Sequence, residues 1–178
     1  MSKASLKKEL KYFSSEQLSE LILNIYSSSK EAKAYLEFFL NPDPEAFVKE
    51  KTEAIAKELK RTKRGSLSKA RISVIRKYIK EAQDYGLPAD YVNRLFFSAI
   101  SVIVNCEKYI YYPAALFNGT YRLVSDYLNW ANKNEMLPTA LEDLTVFIMN
   151  SESGTPTFRQ NIAAVVNSTM HNLKPSDL

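Results

Sequence analysis

A chain of 178 residues with 46% apolar and 25% charged side chains is too apolar for disorder and long enough to bury the core of a single domain. Four glycines, one cysteine and one histidine exclude a glycine-rich phosphate loop, an internal disulfide and a histidine-cysteine metal cluster. The net charge of +4 is unevenly spread: residues 57–80 hold ten of the 24 basic residues and one of the 20 acids, Glu58, a local +9 that leaves −5 for everything else.

Leu6 and Leu10 mark a first short helix. Ser14 and Gln17 have the spacing of a capping box, and from there Leu18, Leu21, Ile22, Ile25 and Tyr26 recur as one helical face. The serines at 27 to 29 end it. A third helix, with Tyr35, Phe38 and Phe39 as its apolar side, stops at Asn41-Pro42, because the residue before proline avoids the helical region. Asp43-Pro44 opens a fourth, whose stripe Phe47, Val48, Ile55 and Leu59 is thin and belongs at a surface. It finishes in KELKRTKR, where cations suit the negative end of the helix dipole, and Gly65 closes it.

Ser66 or Ser68 caps a fifth helix, expected to run to about Tyr85 and to end at Gly86. At 100° per residue Ile72, Val74, Ile75, Tyr78, Ile79, Ala82 and Tyr85 share one arc; Lys69, Ser73, Arg76, Lys77 and Lys80 share the opposite one. Arg71 falls off the basic arc and into the first turn, where the dipole disfavours a cation, so it is expected to reach back to an acid elsewhere. The next helix, Pro88 to about Cys106, is apolar nearly all round and should be the element the others pack against. Beyond Pro113 the spacing of Phe117, Tyr121, Val124, Leu128 and Ala131 runs through Gly119, as one bent helix or two. Leu137-Pro138 opens a further helix with Leu141, Leu144 and Ile148 inward. A loop at 150–156 precedes the last helix, which carries Phe158 and Ile162, and the tail 174–178 is expected to fray.

The expectation is an all-α chain: a compact bundle of eight or nine antiparallel helices in a single domain over 1–178, with a possible subdivision near 64–66. A short helical-hairpin solenoid is the alternative. The apolar run Leu95–Val104 is too short to cross a bilayer, and the N-terminus lacks the apolar core of a secretory signal, so a cytoplasmic protein is expected, with no membrane contact.

The segments SKASLKKEL, EQL at 16–18, ILNIY at 22–26, KAYLEFFLNP at 33–42, SVIRKYIK at 73–80 and YGLPADYV at 85–92 resemble a family of small bacterial proteins known only as a domain of unknown function. The resemblance covers residues 2 to 105 and fades after them. It implies a helical fold and a bacterial intracellular origin. None of these motifs is catalytic, so it brings no activity.

The functional candidate is the basic stretch. Arg61, Lys63 and Arg64 at the fourth helix's end, continued by Lys69, Arg76, Lys77 and Lys80, make a cationic ridge suited to an acidic protein surface or to nucleic-acid phosphates. The plain alternative is a solvated face neutralised by acids of neighbouring helices. A helix-turn-helix about Gly86 would leave the second helix only Asn93 and Arg94 with which to read bases. Enzyme chemistry would have to come from Cys106 and His171, oriented by Glu107 or Asn105; a small buried hydrophobe and a solvated imidazole account for the first two more simply. No cofactor or metal is expected. The tyrosines at 109, 111 and 112 with Phe117 and Tyr121 form either a partner patch or a structural corner. The leading expectation is a non-enzymatic interaction domain offering the ridge to an acidic protein; the alternative is nucleic-acid-backbone binding.

Overall fold

The computed structural model describes residues 1–60, 67–150 and 152–173, which form nine α-helices and no strand. They sort into two compact units, Met1–Asp43 and Pro44–Leu178. The possible subdivision near 64–66 and the tail 174–178 lie outside the described residues.

The first unit holds α1 (Lys3–Leu10), α2 (Ser15–Ser28) and α3 (Lys30–Leu40). Its helix starts follow local chemistry. Ser14 Oγ accepts from Gln17 N at 3.2 Å and Gln17 Oε1 accepts from Ser14 N at 2.9 Å, the reciprocal cap expected from their spacing. Ser29 both ends α2 and caps α3 through Ala32 N. The apolar faces pair only partly: Leu18, Leu21, Tyr26 and Leu36 are half-buried, Ile22, Leu23, Ile25, Phe39 and Leu40 are exposed, and no residue of the unit is fully buried.

The second unit holds α4 (Pro44–Leu59), α5 (Ile72–Asp84), α6 (Ala89–Glu107), α7 (Ala114–Lys133), α8 (Leu137–Met149) and α9 (Pro156–Asn172). As its all-round apolarity requires, α6 is the central element: it packs on α4, α5, α7 and α8 and buries Val92, Leu95, Phe96, Ala99, Ile100, Ile103 and Val104. Against it, α7 buries Leu116, Leu123, Val124, Tyr127, Leu128 and Ala131 and also carries α9. Aromatic pairs knit the layers, Phe97 on Phe147 with ring centroids 5.1 Å apart and Phe117 edge-on to Phe158 at 5.2 Å. The tyrosine-rich corner is split by depth. Tyr112 is buried and donates to Ile103 O at 2.7 Å, whereas Tyr109 and Tyr111 are exposed.

The structure decides one point that the residue pattern leaves open and departs from it at another. α7 is a single helix through Gly119, and the missing side chain there lets α5 approach: a Cβ would lie 2.6 Å from Ile72 Cγ2. And α5 begins at Ile72, several residues later than Ser66 or Ser68 would have started it. Ser68 is buried, with its amide donating to Tyr111 O at 2.7 Å and its hydroxyl accepting from Ala70 N, while Ser66 lies outside the described residues. The backbone at the true start is satisfied from afar: Glu58 of α4 accepts from Arg71 N at 3.0 Å and from Arg71 Nε at 3.0 Å. Arg71 thus has the acidic partner expected of it. At the other end Gly86, with φ of 72°, closes α5 in a Schellman motif, Gly86 N donating to Gln83 O and Leu87 N to Ala82 O.

Candidate functional site

Of the seven ridge residues, Arg61, Lys63 and Arg64 lie outside the described residues. Lys69 is exposed but precedes α5, in the stretch held by Ser68 and Arg71, so it is not on the helical basic arc. Arg76, Lys77 and Lys80 are exposed on α5, on the face opposite its buried Ile75, Ile79 and Ala82. That helix is amphipathic as the residue spacing demands.

The face is not wholly free. Arg76 is paired with Asp126 of α7, so at this residue the ridge meets an acid of a neighbouring helix, as in the plain alternative. Lys77 too has a partner. The side chains of Lys69 and Lys80 make no ion pair or hydrogen bond among the described residues, and neither does that of Lys133 at the end of α7.

Between α5 and α7 lies an open groove of about 740 Å³. The α5 wall carries Ser73, Arg76, Lys77, Lys80 and Gln83; the α7 wall carries Asp126, Asn129, Trp130 and Lys133. Its floor is apolar, made by Ile79, Leu123 and Phe96, which are all but buried. Trp130 leans on Phe96 with ring centroids 5.4 Å apart, and Phe96 stacks on Tyr127 at 5.0 Å, so an aromatic column from the core ends in a half-buried indole at the groove. Four cations line the groove against one carboxylate, Asp126, which Arg76 already engages. Such a lining attracts an anion and offers it an apolar surface as well.

The α7 wall was not anticipated. Trp130 and Lys133 stand three residues apart, which puts them on one helical face, and that spacing was the available signal. What the sequence could not supply was which helix that face meets.

Other candidates resolve differently. Asn93 is buried, donating to Asp143 Oδ2 at 3.1 Å, so it presents nothing to a base edge, and Arg94 is engaged by Glu45 through two bonds of 2.7 Å. Cys106 is half-buried, and burial pushes its thiol above the ordinary range, the reverse of nucleophile activation. His171 is exposed near the end of α9, and neither side chain has a hydrogen-bond partner among the described residues. Glu107 is occupied as well, accepting from Thr155 N at 2.7 Å and Thr155 Oγ1 at 3.0 Å. Among the described residues no group of three or more His, Cys, Asp or Glu could hold a metal, and no helix is long and apolar enough to cross a membrane.

The model of a family of unknown function, DUF6155, matches residues 1–172, well past position 105, where the resemblance carried by the short motifs fades. No curated protein and no solved structure matches the chain.

Proposed function

We propose that this chain, which belongs to the DUF6155 family of unknown function, is a non-enzymatic interaction domain that offers the α5–α7 groove to an acidic protein partner. The observation that carries the reading is the pair of lysines on opposite walls, Lys80 and Lys133, both without a carboxylate partner among the described residues, in a groove that Trp130 also lines. An unneutralised cation pair across a groove attracts carboxylates over a distance of about one Debye length, roughly 8 Å at physiological salt. The apolar floor favours protein over a nucleic-acid backbone, which would satisfy the rim and leave the floor wet. The single half-buried thiol suits a reducing compartment such as the cytoplasm.

The test is retention of the full chain on a polyanion column, followed by elution with acidic polypeptide, duplex DNA or RNA at rising salt. Acidic polypeptide should displace the protein more effectively than either nucleic acid at equal charge. Retention should fall in an Arg76→Glu, Lys77→Glu, Lys80→Glu variant and again when Lys133→Glu is added. No retention at low salt ends the proposal. A steep salt slope with preferential elution by nucleic acid replaces it with backbone binding.

A further inference from the structure

Resting on that reading, we infer that the acidic partner docks as a short peptide segment whose carboxylates meet the lysine rim and whose aromatic or branched aliphatic side chain enters the groove. Two properties of the groove are in tension unless its occupant is mixed. Its rim lysines Lys80 and Lys133 select negative charge. Its floor and wall, Ile79, Phe96 and Trp130, select apolar surface. A purely acidic strand leaves the floor hydrated, and a purely apolar segment leaves the lysines with nothing to meet. The volume of about 740 Å³ is that of a ligand pocket and exceeds what one anchoring side chain needs, so the neighbouring backbone can enter too.

Charge complementarity identifies the occupant. The one acid of the lining, Asp126, is tied to Arg76, so the free charge facing the groove is positive. Gln83 and Asn129 stand on opposite walls and supply amides that hydrogen-bond to peptide N–H and C=O groups. Burying one Leu or Phe side chain that was exposed beforehand raises affinity by roughly ten- to a hundred-fold, whereas the lysine contacts, being exposed, contribute mainly speed and salt dependence.

The experiment uses the fact that Trp130 is the only tryptophan of the chain, so intrinsic emission reports on the groove wall. The full chain is titrated with two tryptophan-free synthetic peptides of equal glutamate content, one with a central phenylalanine and one with serine in its place. The phenylalanine peptide should shift Trp130 emission saturably and bind at least about tenfold more tightly, with the advantage preserved at high salt. Lys80→Glu with Lys133→Glu should weaken both peptides. Gln83→Phe, at an exposed position on the α5 wall, removes one amide for both peptides alike but should also fill the groove and so bring the two peptides to equal affinity; circular dichroism confirms that this variant is folded. Equal affinity for the two peptides overturns the anchored mode and leaves the acidic-partner reading standing. Binding of neither overturns both. Tighter binding of a single-stranded oligonucleotide of the same charge assigns the groove to nucleic acid instead.

Discussion

The Tyr127 hydroxyl, buried where α6, α7 and α8 meet, lies 2.8 Å from both Asn93 Oδ1 and Asp143 Oδ2. Its single proton serves two acceptors in turn, and ionising it would place a second negative charge beside Asp143, so burial first and that carboxylate second drive its pKa far upward. Tyr127→Phe keeps the ring on Phe96 but strips Asn93 Oδ1 of its donor and leaves Asp143 Oδ2 with the Asn93 amide alone, and should lower unfolding free energy by about 1–2 kcal/mol in urea denaturation. A variant as stable as the parent would show that the network contributes nothing. At the surface, Arg94 holds the Glu45 carboxyl below its ordinary 4.5. A carboxyl depressed in the folded state is protonated first in the unfolded chain, so the pair favours the fold above that ordinary value and loses its contribution as pH falls through the lower folded one. The NMR titration midpoint of Glu45 should lie below 4.5 and return to it in Arg94→Ala. Because both side chains are about half exposed or more, added salt should shrink the difference.

Helix packing sets the groove, and its hinge point is Gly119. Replacing it with alanine drives a Cβ to 2.6 Å from Ile72 Cγ2 and 3.0 Å from Ile72 Cβ, atoms too near the α5 backbone to swing away. Gly119→Ala should therefore cost about 1–3 kcal/mol, and Ile72→Ala in the same chain should recover part of it, a coupling read from a double-mutant cycle. The opposite sign is expected at the end of α7. Glu135 follows the cap with φ of 59°, and Met136 N donates to Ala131 O, a Schellman turn that glycine fills without strain. Glu135→Gly should raise the thermal midpoint, by an amount corresponding to about 0.5–1 kcal/mol. The helices show how far a sequence can be read. The Ser14–Gln17 cap, the end of α5 at Gly86 and its amphipathic face were legible because each depends on residues within a turn or two. Arg71 was legible because a misplaced cation requires a partner. The late start of α5 was not, since Glu58 and Tyr111 hold its approach from outside the segment. Nor was the groove, whose second wall, Trp130 and Lys133, lies some fifty residues from the first and is brought to it by a helix packing that includes the close approach of Ile72 to the bare position 119.

At the scale of the whole molecule the buried core belongs to one unit. Every fully buried side chain among the described residues, from Ile55 to Ile162, falls in Pro44–Leu178, whereas Met1–Asp43 has none and exposes Leu23 at 64%, Phe39 at 67% and Leu40 at 71%. A Tyr26–Glu37 hydrogen bond of 3.0 Å and Lys33 over the Tyr26 ring, 5.3 Å from its centroid, tie α2 to α3 along with half-buried contacts. Helices of 8, 14 and 11 residues are at or below the length at which a helix persists alone in water, so local propensity cannot replace the missing core. Expressed separately, Pro44–Leu178 should unfold in one cooperative thermal transition followed by circular dichroism, and residues 1–43 should lose helix gradually with no midpoint. A sharp transition for 1–43 that is independent of concentration would mean that its half-buried contacts suffice. A midpoint that rises with concentration would mean that those exposed leucines and Phe39 form their core with another copy, since only association makes stability depend on the amount of chain present.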